Sequence, residues 1–438
     1  ASAFDFLGDV LLMRDPQGLL EPERAERRDF VLRFQQVTGP VMAKGIEDTA
    51  FFRHFPLLSL NEVGGGPARF GSTVAAFHAS MVERAQRRPA ALSATQTHDT
   101  KRAEDHRTRL DVLSEIPAVW TAAVTAWREA VDALKSRING AAVPDADDEY
   151  YAYQTIVGAC PAGPMSDEGW NAFSKRVEDA MIKALREAKR NSSWINPNPD
   201  YEEATRGFVS RLLEPSGSFV PMLTAFLERV TNPGLMASLA QLAIKSTAPG
   251  VPDFFQGTEL WDFSMTDPDN RRPVDFASRS ALMTALAARL ERRDTRDRAA
   301  LVHELRQTLH DGRLKLLMTR ELLGARRDRA SLFARGAYVP LAVDGPRRDQ
   351  VVAFARRMED HVSLTVTGRF FASFGDADPW RADTWSGTVV EVPGELSATL
   401  HDAVTGAVRT VRGSVPLADL FESMPFAVLV GDPAPARA

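Results

Sequence analysis

The six residues from Thr97 to Arg102 all carry side chains that donate or accept hydrogen bonds. They lie between a short segment that ends at Ala94 and a helical stretch that begins near Ala103, and α/β barrels carry their chemistry in such strand-end loops. The Asp99 carboxylate could stabilise a reaction centre that becomes positive, and the His98 imidazole could hold a hydroxyl group. The segment therefore predicts a site for a polar ligand.

Two other interpretations of this segment stay open from the residues alone. Asp99 or Thr100 could cap the following helix, because their side-chain oxygens accept hydrogen bonds from the free amides of a first turn. His98 and Asp99, with Asp105 and His106 nearby, are also residue types of a metal-dependent phosphohydrolase. The spacing of other histidines speaks against a metal site, since they lie in segments without ligand-like spacing: His54, His78 and His303.

The length and the charge of the chain limit the class of protein to which it can belong. At 438 residues the chain exceeds the usual domain of roughly 100 to 200 residues, which favours a large barrel-like domain with an appendage. The net charge of −5 disfavours a nucleic-acid partner. No apolar run approaches the ~20 residues that span a bilayer, and the opening residues lack the basic segment of a signal peptide, so we expect a soluble cytoplasmic protein without a membrane partner. The single cysteine, Cys160, excludes an internal disulfide and predicts a buried, inert thiol.

The chain divides into four regions, residues 1–110, 111–245, 246–336 and 337–438. In the first, a helix from Arg28 to about Gln36 leads to a predicted strand end at residues 41–45 and a polar loop at residues 47–49. The glycines of residues 61–67 lack the spacing of a phosphate loop and predict a turn.

Periodicity changes along the remaining regions. The second is helical: Pro117 suits a first helical turn, and apolar residues recur at helical spacing over residues 178–190 and 235–244. The third opens with a short strand within residues 248–259 and continues into a ligand-facing loop at residues 267–275, which could equally be a surface loop with internal ion pairs. The last region carries short β-rich runs that predict a β-sandwich: residues 351–355, 362–366 and 387–392.

Several motifs, in order along the chain, resemble the maltooligosyltrehalose synthase family of the α-amylase superfamily. They are residues 43–51, 61–65, 97–102, 249–259 and 267–273, with support from residues 149–155, 183–189 and 193–195. One departure is Cys160 before Pro161, where the family pattern leads us to expect Trp; it puts a local packing contact in doubt.

The resemblance implies an incomplete (β/α)8 barrel with a large helical insertion, followed by a C-terminal β-sandwich. It also implies an isomerase without a cofactor, which converts the reducing-end α-1,4 linkage of a maltooligosaccharide to an α,α-1,1 linkage. The chemistry would be that of a retaining glycosidase in which the released glucose, rather than water, resolves the glycosyl-enzyme. The glucose must therefore turn over in a closed, polar-lined end of the cleft.

Residue by residue, Asp99 matches the family carboxylate that stabilises the oxocarbenium-like transition state, and His98 matches a residue that hydrogen-bonds the sugar. A further set could contact sugar hydroxyls or form structural ion pairs: Lys44, Lys101, Arg102, Asp269, Asn270 and Arg271. Phe51, Phe52 and Phe255 could stack on sugars, although aromatic residues in such loops are more often core.

The motifs of the family's nucleophile and acid/base glutamate do not occur in this sequence. Glu47, Asp48 and Glu62 lie in segments that match later family positions, so none of them is assigned either role. We therefore expect a C-terminal portion that has no turnover alone and whose partner is the N-terminal portion of the same enzyme. The alternative is a non-catalytic carbohydrate-binding or structural subunit.

Overall fold

The computed structural model describes residues 2–290, 295–359 and 361–431. The α-helices are α1 Ala3–Leu11, α2 Glu21–Met42, α3 Val74–Arg87, α4 Glu104–Leu113, α5 Pro117–Val131, α6 Ala146–Ala159, α7 Asp167–Ala188, α8 Pro199–Leu212, α9 Phe219–Thr247, α10 Phe276–Leu290, α11 Thr295–Gln307, α12 Arg313–Asp328, α13 Ala330–Arg335 and α14 Leu417–Leu420. The strands are β1 Leu92–Ala94, β2 Ser136–Ile138, β3 Ala141–Val143, β4 Val251–Asp253, β5 Ala337–Pro340, β6 Ala342–Asp344, β7 Val351–Met358, β8 His361–Gly368, β9 Val389–Val392, β10 Ala398–Asp402, β11 Val408–Val411, β12 Gly413–Pro416 and β13 Phe426–Gly431.

A parallel pair of strands, β1 and β4, links the two ends of a long helical region. Leu92 pairs with Val251 and Ala94 with Asp253, so both strands end at the same edge. Helix α4 follows β1, and α9 leads back to β4. The sequence prediction of a strand within residues 248–259 is confirmed, and the loops after both strands emerge side by side.

The predicted strand end at residues 41–45 is wrong. Residues 41 and 42 complete α2, and residues 43–47 continue it as one turn of π-helix. A helix satisfies its backbone hydrogen bonds locally, whereas a strand needs a neighbour, and no described strand lies beside this segment to pair with it. The helix predicted from Arg28 to Gln36 is confirmed and is longer than expected.

The helical region packs around buried aromatic side chains. Helix α5 begins at Pro117 as predicted, and the Trp127 ring meets Tyr153 and Phe219 edge to face with centroids 5.4 and 5.2 Å apart. Cys160 is buried near this core, and burial raises the pKa of its thiol to about 11 although Arg109 lies nearby. The prediction of an inert thiol agrees with this environment.

The last region consists of two antiparallel sheets that share one hydrophobic core. The larger has the order β11-β10-β13-β8-β7-β5 and the smaller the order β12-β9-β6. Side chains from both, such as Val366 and Val390, belong to the same buried cluster. The three β-rich runs predicted from the sequence lie in β7, β8 and β9. In the part of the chain that the structure describes, no helix is long and apolar enough to cross a membrane.

Close contact between α4 and α9 depends on Gly234. A Cβ atom added at this position would lie 2.8 Å from Arg109 Cα and 3.0 Å from Arg109 Cβ, and a helix backbone cannot move aside as the end of a flexible side chain can. The two helices therefore approach each other at a distance that only glycine allows here.

We expect Gly234→Ala to lower the free energy of unfolding by about 1–3 kcal/mol, because overpacking outweighs the helix propensity that alanine adds. Gly324 in α12 is a matched control, since a Cβ atom there meets nothing within 4 Å. Gly324→Ala should raise the free energy of unfolding by about 0.5–1 kcal/mol. Urea denaturation followed by circular dichroism measures both, and equal shifts in the two variants would contradict the packing argument.

Candidate active site

The loop of residues 95–103 presents His98 and Asp99 to solvent at the end of β1. Both residues are exposed. The loop is braced internally, because Thr100 Oγ1 donates to the Thr97 carbonyl at 2.8 Å and the Asp99 amide donates to Thr97 Oγ1 at 3.2 Å. The imidazole and the carboxylate are therefore available to a ligand while the backbone that carries them is held.

Helix capping by Asp99 or Thr100, left open from the sequence, is wrong. The N-cap of α4 is Ala103, without a side-chain cap. The first helical amide, that of Glu104, donates instead to Gln96 Oε1 at 2.8 Å. The buried Gln96 side chain reaches across the base of the loop, so Asp99 and Thr100 are not needed as caps.

Lys101 and Arg102 point away from solvent into the protein. Lys101 Nζ donates to Asp48 Oδ1 at 2.8 Å, and Asp48 also pairs with Lys44. Burial opposes ionisation of Asp48, but the hydrogen bonds from the two lysines outweigh it and lower the pKa of the carboxyl. Arg102 Nη2 donates to the Tyr151 hydroxyl at 3.0 Å. These contacts join the loop to the helical region and to the π-helical turn.

The polar loop after β4 is fastened to α7. Both oxygens of Asp269 accept hydrogen bonds from Arg176 at 2.8 Å, and although burial raises the pKa of Asp269, this bidentate pair lowers it overall. Lys183 Nζ donates to Asp267 Oδ1 and to the Asp267 carbonyl, and Arg271 is largely exposed beside this pair. The interpretation as a loop with internal ion pairs is confirmed by Arg271–Asp267 and Arg272–Asp269, and the cations of α7 add partners that are distant in sequence.

Asn270 connects the two loops. Its amide nitrogen donates to the His98 carbonyl at 3.0 Å, and the side chain is buried. It also lines a polar pocket of about 260 Å³ beside the strand ends. Other residues that line this pocket are Trp261, Asp262, Ser264, Asp269 and Arg272. A pocket of this size with amide, hydroxyl and charged groups suits a small polyhydroxylated ligand.

Of the aromatic residues considered for sugar stacking, Phe51 and Phe52 are buried in the hydrophobic core of the helical region. Phe255 is half-buried in the loop after β4. The core interpretation therefore holds for the first two.

A buried cluster of charges beneath the loop was missed by sequence reasoning. Lys315 Nζ lies 2.7 Å from Glu104 Oε1 and 2.8 Å from Asp105 Oδ2, and Lys245 Nζ lies 3.3 Å from Glu104 Oε2. Burial would raise the pKa of Glu104, but the two lysines lower it to about 2, whereas burial raises the pKa of Asp105 to about 6. A charged residue on an amphipathic helix usually faces water, so the sequence offered no signal for Lys315.

The same cluster bears on the metal-site alternative. Asp105 is occupied by a lysine ammonium, and His106 is buried with a pKa well below its usual range because of burial and the nearby Arg102. Within residues 2–290, 295–359 and 361–431, no group of three or more His, Cys, Asp or Glu side chains could hold a metal ion.

No family model matches this chain. Proteins of two Mycobacterium tuberculosis strains, both named putative maltooligosyl trehalose synthase, are 35% identical over 401 residues, which cover 92% of this chain and 45% of theirs. The maltooligosyltrehalose synthase structure from Arthrobacter ramosus is 35% identical, with a TM-score of 0.73, over 91% of this chain and 46% of that one. A hypothetical maltooligosyl trehalose synthase from Sulfolobus tokodaii is 28% identical, with a TM-score of 0.69, over 97% and 50%. The chain spans about half the length of the curated relatives it matches.

Proposed function

Since this chain is homologous to maltooligosyltrehalose synthases over most of its length, we propose that it supplies part of the active site of such an enzyme. The reaction is the intramolecular transfer that turns the reducing-end α-1,4 linkage of a maltooligosaccharide into an α,α-1,1 linkage, an isomerisation that needs no cofactor. The observation that carries the proposal is the braced loop that exposes His98 and Asp99 after β1, and that Asn270 joins to a polar pocket in the segment after the parallel strand β4. We also propose a cytoplasmic location.

The proposed architecture is an incomplete (β/α)8 barrel. Residues 1–110 and 246–336 contribute its later strands and helices, residues 111–245 form a helical insertion, and residues 337–438 form a β-sandwich; residues 1, 291–294, 360 and 432–438 of these ranges lie outside the described residues. In support, β1 and β4 are parallel, each adjoins a helix, and each pairs only with the other within the described chain. Leu92 and Val251, a register pair on these strands, are 69% and 44% exposed. The N-terminal portion of the enzyme would supply the neighbouring strands.

In this proposal the Asp99 carboxylate stabilises positive charge at the anomeric carbon, and His98 hydrogen-bonds the sugar at the cleavage point. The nucleophile and the acid/base residue come from the N-terminal portion. The exposed Lys44 and Arg271 contact sugar hydroxyls directly. The buried members of the proposed binding set shape the loops that line the cleft: Lys101, Arg102, Asp269 and Asn270.

Turnover by separate and combined parts tests the proposal. We expect the purified chain, its length confirmed by mass spectrometry, to leave maltopentaose unchanged. Addition of the complementary segment of the Arthrobacter ramosus enzyme should produce a non-reducing pentasaccharide of unchanged mass, because the glucose is transferred and not released. The complementary segment alone is the control.

Two outcomes would contradict the proposal. Turnover by this chain alone would show that it holds a complete site. A mixture that associates but leaves maltopentaose unchanged would contradict the enzymatic role, and maltopentaose binding without turnover would then indicate a carbohydrate-binding subunit.

A further inference from the structure

The carboxylate of Glu62 is buried beneath the loop that carries Asp99. Its Oε1 accepts a hydrogen bond from the Lys101 amide at 2.8 Å, and its Oε2 accepts one from the Arg102 amide at 3.1 Å. Oε1 also accepts the Val63 amide at 2.8 Å. Glu62 is 8% exposed, so these backbone bonds form away from bulk water, where charge-assisted hydrogen bonds are strong.

The side chains of the same two residues are engaged elsewhere, which separates this contact from an ordinary ion pair. The Lys101 ammonium is bound to Asp48, and the Arg102 guanidinium is bound to the Tyr151 hydroxyl. Arg107 Nε, at 3.7 Å, is the cation that the structure places against the Glu62 carboxylate. The Glu62 carboxylate therefore binds backbone amides. Two of these, the amides of Lys101 and Arg102, come directly after Asp99 and Thr100 in the loop.

The opposite end of the loop is fixed independently. Gln96 Nε2 donates to Asp262 Oδ2 at 2.7 Å, while its Oε1 accepts the first amide of α4. Asn270 holds the His98 carbonyl from the side. The Asp99 carboxylate lies between these anchors and is exposed, so its position follows from where the backbone is held.

We propose that Glu62 is a positioning residue for Asp99, acting through the amides of Lys101 and Arg102; this inference builds on the proposed function. A carboxylate that must face developing positive charge loses much of its effect when it moves, and a displacement of about 1 Å can cost about 100-fold in rate. Glu62 prevents that displacement without touching the sugar.

The test is Glu62→Gln, which keeps the side-chain shape but removes the charge and turns one acceptor oxygen into a donor that faces a backbone donor. In the isolated chain, hydrogen exchange at the Lys101 and Arg102 amides should become about 10-fold faster or more, since hydrogen bonds to charged groups are worth that factor. Exchange in α4 should stay unchanged. Glu47→Gln is the matched control, because Glu47 Oε1 accepts the Gly64 amide at 3.1 Å in a neighbouring loop.

Kinetics give a second readout that a purely structural role would not produce. With the complementary segment of the Arthrobacter ramosus enzyme added, Glu62→Gln should lower kcat about 10- to 100-fold and leave KM within about threefold. Glu62→Asp keeps the charge one methylene further away and should restore part of both the protection and kcat. Glu62→Asp also takes the place of Glu62→Gln as the test variant if the glutamine variant does not fold.

Three results would overturn the inference: unchanged exchange at Lys101 and Arg102, faster exchange across the whole of α4, or an unchanged kcat in an active mixture. If the wild-type mixture associates but is inactive, the proposed function fails, and the exchange measurement alone decides whether Glu62 holds the loop.

Discussion

Lys315→Met is expected to lower the free energy of unfolding by about 3–5 kcal/mol, because it leaves the buried Asp105 carboxylate without its cation. Lys315 is 1% exposed, and its ammonium contacts both Asp105 oxygens, at 3.0 and 2.8 Å, as well as Glu104. Methionine matches the length and apolar stem of lysine, so packing is largely preserved. Urea denaturation at pH 8 measures the loss.

The loss of unfolding free energy caused by Lys315→Met should be smaller at pH 5 than at pH 8. Burial holds the pKa of Asp105 at about 6, above its ordinary value of 3.8, so the folded protein takes up a proton there more readily than the unfolded chain does. Lys315 lowers that pKa, so its removal raises the pKa of Asp105 further; the penalty is therefore relieved at pH 5, where Asp105 is protonated, and grows as the pH rises above about 6. Adding Asp105→Asn to Lys315→Met should recover more than about 1 kcal/mol at pH 8.

A surface ion pair provides the control for the same chemical change. Arg289 and Glu304 are paired at 2.8 Å with side chains 45% and 50% exposed. Arg289→Met should cost less than about 1 kcal/mol, because water solvates the remaining carboxylate. If Lys315→Met cost no more than this control, the buried cluster would not be the stabilising feature described.

Asp99→Asn is expected to lower kcat by about 100- to 1,000-fold in the mixture of this chain with the complementary segment of the Arthrobacter ramosus enzyme. Asparagine has the shape of aspartate but no charge to oppose the positive transition state, and removal of one such electrostatic group costs about that factor. The residue is exposed, so the free energy of unfolding should change by no more than about 0.5 kcal/mol.

Asp349 is the matched control for this substitution, since its side chain is 92% exposed beside Arg348, at the edge of the sandwich. Asp349→Asn should leave kcat unchanged. A kcat for Asp99→Asn within about tenfold of wild type would rule out the role proposed for that carboxylate.

The features that sequence reasoning predicted are those with local causes. Pro117 starts a helix because its ring suits the first turn, and β4 follows from an apolar segment flanked by proline and glycine. The exposed loop at His98 and Asp99 was predicted because polar residues follow a short strand. In each case the deciding interactions lie within a few residues of one another.

The features that sequence reasoning missed depend on contacts between distant segments. Residues 41–43 are apolar and suit helix or strand, and only the presence of a pairing strand decides between them. The arginines after Asp269 predicted ion pairs within the loop, which Arg272 forms with Asp269 at 3.0 Å, but nothing local indicated that Arg176 of α7 adds a bidentate bond. No local sequence pattern indicates that Glu62 accepts a hydrogen bond from the Lys101 amide, and none indicates that Lys315 is buried.

The packing of α4 on α9 also helps to bring the two parallel strands together. Residues 95–250 lie between β1 and β4, and closing a loop of that length costs about 4 kcal/mol in chain entropy. A three-residue ladder of backbone hydrogen bonds, each worth about 1 kcal/mol net, offsets only part of that. The helices that adjoin the strands contribute to the rest, so the close approach at Gly234 helps to close the loop as well as filling a core.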